Sequence, residues 1–290
     1  MSRRKADAAL VLNTVVWGST FVLVKAALPY VSPLVFLLLR FSVAVFSLLV
    51  FFVIRGGLRW DPRTALAGAL AGAFLFGGYV LQTIGLRTTS APKSAFLTGL
   101  TSVMVPLAAA LVYRNRPQLS EMAGVVVATV GLGLMTLRGS IASVSRGDLL
   151  TLCGAVNFAL YIVVLGHFSE RMSFQVLSVA QTAFAAVLGF ASFFWAEQPH
   201  LTFQPVVIVA VLITGVLATA LPFTIQAWAQ QFTSSTRTAL IYMLEPVVAL
   251  LTSWILAGEG LSGRAAAGAV LILGGVVLVE VKPLKARAHL

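Results

Sequence analysis

The acidic residue Glu245 stands within the stretch "ALIYMLEPVVALL" (residues 239–251), where almost every other side chain is apolar. Glu245 lies about nine residues into a predicted helix, which is roughly 14 Å along the helix axis at 1.5 Å per residue. An ionisable group near the centre of a membrane helix costs about 2.5–3.5 kcal/mol on insertion scales, so its presence needs a reason. Two functional hypotheses are binding of a substrate ammonium and binding of a coupling proton. The structural alternative is an acid that satisfies carbonyl groups left free by Pro246.

Uncharged polar and aromatic side chains form a second group, at spacings that place them on common helical faces. Tyr79 and Gln82 are three residues apart, and Asn157 and Tyr161 are four apart. Amides and phenols can bond an ammonium or a carboxylate, and tyrosine rings suit planar apolar side chains. Hydrogen bonding between packed membrane helices is the structural alternative for each of them, and simple packing is the alternative for the tryptophan. The candidate substrate-binding residues are Trp17, Tyr79, Gln82, Asn157, Tyr161, Gln226, Tyr242 and Glu245.

The other eight acids lie near the ends of predicted helices, where contact with the membrane interface and helix N-capping are the expected roles. These acids are Asp7, Asp61, Glu121, Asp148, Glu170, Glu197, Glu259 and Glu280. The three histidines are scattered, and the one cysteine, Cys153, lies in an apolar run, so no metal-ligand spacing is present. We expect Cys153 to be a buried structural thiol, and we expect neither a metal ion nor a cofactor.

The elements that must position these residues are membrane helices. The chain has 290 residues, of which 59% are hydrophobic and 10% charged, whereas soluble domains are about 25% charged. Its apolar runs reach the roughly 20 residues that a helix needs to span a bilayer. The net charge is +11, but the basic residues separate the apolar runs instead of clustering, so nucleic-acid binding is not indicated.

Apolar runs and their Gly, Pro and charged boundaries predict an all-α polytopic membrane protein with ten transmembrane helices. The predicted helices cover residues 8–28, 33–54, 64–86, 92–113, 119–137, 148–167, 173–196, 205–230, 236–257 and 263–281. The loops between them are too short to hold a soluble domain. Thirteen lysines and arginines fall on the side of the N-terminus and five on the opposite side. This bias predicts a multi-pass protein of the cell (inner) membrane with both termini in the cytoplasm.

The two halves of the chain resemble each other. The stretch "LQTIGLRTTSAPKSAF" (81–96) aligns at an offset of 144 residues with "IQAWAQQFTSSTRTAL" (225–240). Thr89 then matches Thr233, and Lys93 matches Arg237. The resemblance is gapped further on, and the first half has no acid at the positions that match Glu245, which are Thr101 and Val105.

This similarity predicts two repeats of five helices each, residues 1–137 and residues 148–290 with a short cytoplasmic tail, joined by a connector over 138–147. Because five is an odd number, the second repeat enters the membrane from the opposite side. Two inverted repeats around a central cavity are typical of alternating-access carriers, which hold their substrate near the membrane midplane.

Two stretches carry a resemblance to a known family. "WGSTFVLVKAALPYVSPLVFLLLRF" (17–41) resembles the opening of the EamA-type carriers of the drug/metabolite transporter superfamily, with their Trp-Gly-Ser, lysine, proline and arginine. "LEPVVALLTSWILAGEGLS" (244–262) resembles the ending of the second repeat in that family. The resemblance implies ten helices in two inverted repeats and efflux of small metabolites, often amino acids. Within the superfamily the aromatic lining favours a YddG-like exporter of aromatic and other neutral amino acids, although Phe158 stands where a tryptophan is common.

Two basic residues lie inside predicted helices. Lys25 is about three residues from the interface and can extend its ammonium to it. Arg40 lies deeper and needs acceptors, for which carbonyls at a helix end, a lipid phosphate and a substrate carboxylate are the candidates. Because the family that the chain resembles has an arginine there across varied substrates, the resemblance favours a structural role for Arg40.

These observations favour a secondary transporter that exports small neutral metabolites, above all aromatic or hydrophobic amino acids, by alternating access. A carrier of other small metabolites or drugs of the same superfamily is the nearest alternative. No nucleotide-binding motif GxxxxGK[ST] is present, so ATP-driven pumping by this chain is not indicated. An intramembrane enzyme would need clustered nucleophile, base or metal residues, and a channel would need a continuous polar stripe. The sequence shows neither pattern, so we expect neither an enzyme nor a channel. The expected partners are a small-molecule substrate and the lipid bilayer, and a monomer is compatible with the sequence.

Overall fold

The computed structural model describes residues 3–85, 88–89, 91–114, 118–136, 145–248, 250–251 and 262–281. Regular structure in this part of the chain is helical, apart from one isolated antiparallel bridge between Val31 and Leu201. The helices are α1 (Arg3–Ala27), α2 (Pro33–Ile54), α3 (Pro62–Gly85), α4 (Ala91–Gly99), α5 (Thr101–Tyr113), α6 (Leu119–Thr136), α7 (Arg146–Ser169), α8 (Phe174–Ala196), α9 (Pro205–Gly215), α10 (Leu221–Ala229), α11 (Ser235–Tyr242) and α12 (Gly263–Val281). A π-helical segment, Val216–Ala220, joins α9 to α10.

Six helical stretches in the described residues are long and apolar enough to cross a membrane. They are Pro33–Ile54, Pro62–Gly85, Phe96–Tyr113, Arg146–Ser169, Phe174–Ala196 and Pro205–Ala229, and two shorter apolar helices cover Leu119–Met135 and Gly263–Leu278. Large apolar side chains such as Phe46, Leu111 and Trp195 are mostly exposed on the outer surface. An apolar exterior of this extent fits contact with lipid, and the chain is a multi-pass membrane protein.

Most ends of the predicted helices that the structure describes agree with the observed ends, but α1 begins at Arg3 and not at residue 8, and the middles agree less well. Three helices that were predicted to be continuous are interrupted: the one over 92–113 at Leu100, the one over 205–230 by the π segment, and the one over 236–257 at Met243 and Leu244. Much of the predicted connector, the end of the ninth predicted helix, Glu259 and the side chains of Lys25 and Glu280 lie outside the described residues.

Corresponding helices of the two halves pack against each other in opposite directions. In the seam between α6 and α12, a Cβ built on Gly131 would lie 2.6 Å from the carbonyl oxygen of Gly268, and one built on Gly275 would lie 2.6 Å from that of Gly124. The order of these contacts reverses along the second helix, so α6 and α12 are antiparallel. Such glycines let two helix backbones approach closely.

The pair formed by α2 and α8 has the same arrangement. The ring centroids of Phe52 and Phe174 lie 6.3 Å apart at one end, and Leu38 lies beside Gly189 nearer the other. The carboxylate of Glu197 accepts hydrogen bonds from the first backbone N–H groups of α2, those of Leu34 and Val35, at 2.8 and 3.2 Å. The C-terminal end of α8 therefore caps the N-terminus of α2.

Two similar polar contacts join the halves at the starts of α1 and α7, and we call them the first and second clasps. In the first clasp the carboxylate of Asp7 accepts hydrogen bonds from Arg237, with Nη2 at 3.0 Å and Nε at 3.1 Å, and from the hydroxyl of Thr233 at 3.0 Å. In the second clasp the carboxylate of Asp148 accepts a hydrogen bond from the hydroxyl of Thr89. Thr89 and Thr233 are separated by the 144 residues that relate the two halves in the sequence.

The expected roles of the acids at helix ends are confirmed for several of them. Asp61 caps α3 through hydrogen bonds from the backbone N–H and hydroxyl of Thr64, at 2.9 and 2.6 Å, and these bonds hold the pKa of Asp61 below its ordinary value. Asp148 forms a capping box with Ser145. Asp7 differs from the expectation of an interfacial acid, because it is buried against Arg237. The prediction of a buried thiol at Cys153 is wrong, since this side chain is exposed.

Candidate functional site

A proline creates the centre of the candidate site. Pro222 has no backbone N–H, so the carbonyl of Ala218, four residues earlier, lacks its usual helical donor. The helix widens into the π segment at this point, as is frequent at functional sites. Two side chains from the first half donate to the carbonyl of Ala218: the indole N–H of Trp17 at 2.8 Å and Nη2 of Arg40 at 3.0 Å.

Arg40 is held by further groups around it. Its Nε donates to the hydroxyl of Thr219 at 2.6 Å, and that hydroxyl donates to the carbonyl of Thr214 at 2.8 Å. Its Nη2 also donates to the hydroxyl of Tyr79 at 3.2 Å, and the guanidinium lies 4.8 Å from the centroid of the Tyr79 ring. A backbone carbonyl was among the predicted acceptors, but the one that binds Arg40 lies in a π segment inside a span and not at a helix end. These bonds fix Arg40 between the halves of the protein.

Aromatic rings surround this point, and we call Trp17, Tyr79, Tyr161, Phe223 and Tyr242 the aromatic cluster. Phe223 lies at its middle, with ring centroids 5.7 Å from Trp17, 6.3 Å from Tyr79 and 5.8 Å from Tyr161. Trp17 meets Tyr242 edge to face at 4.8 Å. Such rings offer flat apolar surfaces together with a few polar tips, which suits a planar apolar ligand.

Glu245 lies where a helix restarts. Met243 and Leu244 donate to the carbonyls of Leu240 and Ile241 and so close α11, and Val248 then donates to the carbonyl of Leu244. Glu245 is thus the first residue of a new helical segment, where a negative charge is favourable. Pro246 is tolerated there, because the first N–H groups of a helix have no partner within the helix.

The carboxylate of Glu245 makes no hydrogen bond or ion pair with the residues that the structure describes. It lies within Coulombic range of Arg40, Tyr79 and Tyr242. The structural alternative for Glu245, in which the acid satisfies carbonyls beside the proline, has no such contact to support it in this part of the chain. The interrupted helix, and not a kink in a continuous one, explains how this acid is accommodated.

Asn13 was not foreseen from the sequence. Its side-chain amide donates to the carbonyl of Pro222 at 2.9 Å and to the hydroxyl of Tyr242 at 3.3 Å. It is fully buried and precedes Trp17 by four residues, on the same face of α1. That spacing is the signal that could have identified Asn13, whereas nothing in the sequence pattern distinguishes Phe223 from the other phenylalanines.

The predicted site residues divide into two groups by their contacts. Trp17, Tyr79, Tyr161 and Tyr242 belong to the aromatic cluster, with Glu245 beside it. The fully buried Gln226 connects to this cluster, because its carbonyl oxygen accepts from the Tyr161 hydroxyl at 3.5 Å.

The other two predicted residues make contacts elsewhere. Gln82 donates to the hydroxyl of Thr98 at 2.9 Å, and Asn157 donates to the carbonyl of Cys153 at 2.9 Å, one turn earlier in its own helix. Neither has a hydrogen bond to the aromatic cluster among the described residues. In that same part of the chain no group of three or more His, Cys, Asp or Glu could hold a metal ion.

Comparison with known proteins agrees with this architecture. The EamA-like transporter family matches the chain twice, over residues 4–137 and 145–281. A protein of Archaeoglobus fulgidus described as an uncharacterized transporter is 33% identical over 282 residues, covering 97% of this chain and 88% of the relative. A protein of Salmonella typhimurium described as a "Probable amino-acid metabolite efflux pump" is 29% identical over 298 residues, covering 96% of this chain and 95% of the relative.

A solved crystal structure has the same fold. It superposes with a TM-score of 0.81 at 20% sequence identity and covers 96% of both chains. The two family matches fall on the two halves that the repeat and the antiparallel helix pairs define. The chain therefore belongs to the EamA-like transporter family.

Proposed function

We propose that this protein is a secondary transporter that exports small neutral metabolites by alternating access, with aromatic and hydrophobic amino acids as its favoured substrates. The observation that carries the proposal is a pair of opposite charges, Arg40 and Glu245, beside an aromatic cluster between two similar halves of the chain. Trp17, Tyr79, Gln82, Asn157, Tyr161, Gln226, Tyr242 and Glu245 are the proposed substrate-binding residues.

The proposed topology has ten membrane crossings in two inverted repeats, residues 1–137 and 148–290, around a central cavity. Antiparallel packing of α2 with α8 and of α6 with α12 supports it, because these are the second and fifth helices of each half. Equivalent helices that run in opposite directions are what an inversion requires. With the N-terminus in the cytoplasm, the connector over 138–147 then faces the outside of the cell membrane.

Alternating access gives the two clasps a role. The first clasp lies at the start of α1 and the second at the start of α7, which are opposite faces of the membrane in the proposed topology. Each clasp joins one half to the other. Opening one face requires that its clasp separates while the other clasp holds, so the two similar contacts provide two states of similar energy.

The proposed substrate class follows from the chemistry of the site. Aromatic rings offer surface to a planar or apolar side chain, and the charged groups offer partners to an ammonium and a carboxylate. The Salmonella relative, whose description names amino-acid metabolites, supports this choice. The wider range of substrates in the superfamily leaves other small metabolites and drugs as the second candidate class.

Transport in proteoliposomes tests the proposal directly. Purified protein in vesicles loaded with unlabelled L-phenylalanine should accumulate radiolabelled L-phenylalanine by exchange, and protein-free vesicles should not. Absence of exchange for phenylalanine, leucine and other neutral amino acids would contradict amino-acid transport. A screen of toxic amino-acid analogues and drugs against cells that overproduce the protein would then reveal the other substrate class.

Cysteine labelling tests the topology. Cys153 is the one cysteine of the chain, so the background variant for single-cysteine labelling is Cys153→Ser. Single cysteines in the N-terminal tail, in the connector and in the C-terminal tail are then treated with a membrane-impermeant maleimide in intact cells. We expect labelling of the connector alone. A connector that is protected together with both termini would overturn the inverted topology.

A further inference from the structure

We infer that Arg40 and Glu245 bind the two charges of one zwitterionic substrate, the carboxylate at Arg40 and the ammonium at Glu245. This inference rests on the proposed function and adds to it the groups that distinguish a free amino acid from an amine or an acid. Three features of the structure carry it: the unused donor of Arg40, the unpartnered carboxylate of Glu245, and the separation between them.

The guanidinium of Arg40 has one donor group to spare. Its Nε and Nη2 bind Thr219, Ala218 and Tyr79, all of which are uncharged acceptors. Its Nη1 has no hydrogen-bond partner among the described residues and retains some accessible surface. Only 6% of the residue is exposed, so this donor lies in a largely enclosed position.

The charge of Arg40 is also not neutralised by an ion pair within the described residues. Buried charges are costly unless they are paired. Uncharged acceptors orient the guanidinium but leave its charge available. An arginine in this state is prepared for a carboxylate, which its planar donors bind well.

Glu245 is the complementary group on the other half of the protein. Its carboxylate has no hydrogen-bond partner among the described residues and also retains some accessible surface. The start of a helical segment favours its negative charge. Tyr242 lies three residues earlier in the chain and packs edge to face against Trp17, and aromatic faces attract an ammonium group.

The separation between the two charges points to a ligand that carries both. Trp17 connects the two groups: its indole donates to the carbonyl of Ala218, which Arg40 also binds, and its ring packs on Tyr242, three residues before Glu245, yet no salt bridge joins the two charges in the described residues. Opposite charges in a low-dielectric interior attract strongly, so two such groups that bind no ligand are expected to form a direct salt bridge. Arg40 is instead held back by Thr219 and Ala218, and Glu245 by its own helical segment. A neutral amino acid in the gap satisfies both charges and places its side chain against the aromatic cluster.

The test compares three molecules that differ only in these charges. L-phenylalanine, phenethylamine and 3-phenylpropionate compete for exchange of radiolabelled L-phenylalanine in proteoliposomes, where phenethylamine lacks the carboxylate and 3-phenylpropionate lacks the ammonium. For the unmodified protein we expect each analogue to compete at least about tenfold more weakly than phenylalanine, because each leaves one buried charge without a partner.

Two substitutions assign the charges. Glu245→Gln should weaken competition by phenylalanine and by phenethylamine but leave competition by 3-phenylpropionate unchanged or stronger. Arg40→Lys, which keeps the positive charge and removes the planar donors, should reduce the preference for phenylalanine over phenethylamine. Glu170→Gln, at an exposed acid beyond the end of α7, is the matched control and should behave as the unmodified protein.

Each result decides between the inference and the proposed function. If the unmodified protein exchanges phenylalanine but both analogues compete as well as phenylalanine does, Arg40 and Glu245 do not recognise the two charges of the substrate. The proposal of amino-acid export would then still stand. If Glu245→Gln keeps the full ranking and loses only a pH dependence of exchange, Glu245 is a proton site and the inference is wrong. If the unmodified protein exchanges no neutral amino acid, the proposed function itself fails. Because Glu245 makes no bond within the described residues, Glu245→Gln keeps the test decisive even if Arg40→Lys misfolds.

Discussion

The two clasps, which lie at opposite ends of the helical bundle in the proposed topology, are alike, whereas the middle parts of the two halves differ from each other. At each end a threonine at a repeat-related position donates to an aspartate at the start of a helix, Thr233 to Asp7 and Thr89 to Asp148. In the middle, the helix interruption of the second half has an acid directly after it, and that of the first half, between α4 and α5, has Thr101. The buried Thr101 donates to the carbonyl of Ala155 and so stays within the packing.

The same contrast separates α2 from α8. These equivalent helices pack together, but α2 contains Arg40, whereas α8 contains no charged residue. Similar clasps at the two ends of the bundle give the two open states of a carrier similar free energies, because each end must close as readily as the other opens. Its substrate has no such symmetry. We therefore expect changes at the ends to shift the balance between the two states, and changes in the middle to alter recognition.

The largest effect is expected from breaking the first clasp with Asp7→Asn. Removal of one partner from a buried ion pair typically costs about 3–5 kcal/mol, and the side chain of Arg237 is only 5% exposed. We expect a clear fall in the melting temperature in detergent and more frequent opening on the cytoplasmic side. Asp148→Asn should open the opposite face.

Cysteine accessibility measures these shifts in a Cys153→Ser background. Leu10 and Thr151 are fully buried and each lies three residues after the aspartate of its clasp. Labelling at Leu10→Cys should rise in the Asp7→Asn variant, and labelling at Thr151→Cys should rise in the Asp148→Asn variant. Equal labelling of both positions in both variants would show that the clasps contribute stability alone and do not govern access.

The next effect concerns the middle, where Pro222→Ala restores a backbone N–H. This N–H can donate to the carbonyl of Ala218 and compete with Trp17 and Arg40 for it. We expect phenylalanine exchange to fall by about tenfold or more, because small displacements of positioning groups have large effects on rate. Melting temperature should change little.

The matched control for this substitution is Pro205→Ala. Pro205 lies at the start of α9 in the same span, where a missing N–H costs nothing. Its exchange rate should equal that of the unmodified protein. If Pro222→Ala also leaves exchange unchanged, the carbonyl of Ala218 has no part in positioning the site.

A smaller effect is expected in the seam between α6 and α12. Gly131→Ala and Gly275→Ala each place a methyl group within 3 Å of the backbone of the facing helix, and overpacking of this kind costs about 1–3 kcal/mol. Because the two glycines are related by the repeat offset, we expect similar decreases in melting temperature. Gly274→Ala, which meets no atom within 4 Å, should not destabilise the protein. Unequal losses at Gly131 and Gly275 would show that the seam is less symmetric than the clasps.

Much of the fold follows from the sequence because helix ends depend on local residues. The predicted bounds of α2 and α12 agree with the structure, since proline, glycine and charge mark them. The helix interruptions were harder to foresee. Proline disfavours a continuous helix at position 222, but Trp17 and Arg40, which bind the carbonyl that Pro222 frees, lie about 180 to 200 residues away.

The candidate site was foreseen as a set of residues and not as a set of contacts. Glu245 and the tyrosines stand out by type and spacing. No local pattern, however, reveals that Asn13 donates a hydrogen bond to Tyr242 or that Gln82 donates one to Thr98. The apolar neighbours of Cys153 along the chain predict an interior position, whereas the side chain is exposed. In a membrane protein the lipid-facing surface of a helix is as apolar as the packed one, so hydrophobicity cannot separate them.

The smallest effect is expected from Asp61→Asn, which separates local capping from the contact between halves. Asp61 is exposed, and among the described residues its side chain bonds to its own helix, through Thr64. These bonds lower the folded-state pKa of Asp61 below its ordinary value, so the stability that they contribute is present above that ordinary value and is lost as pH falls through the lowered one. We expect a slight fall in melting temperature at neutral pH that vanishes in acid, with labelling at Leu10→Cys and Thr151→Cys unchanged. A shift in labelling as large as that of Asp7→Asn would mean that any acid at a helix start alters access, and the comparison between clasps and caps would not hold.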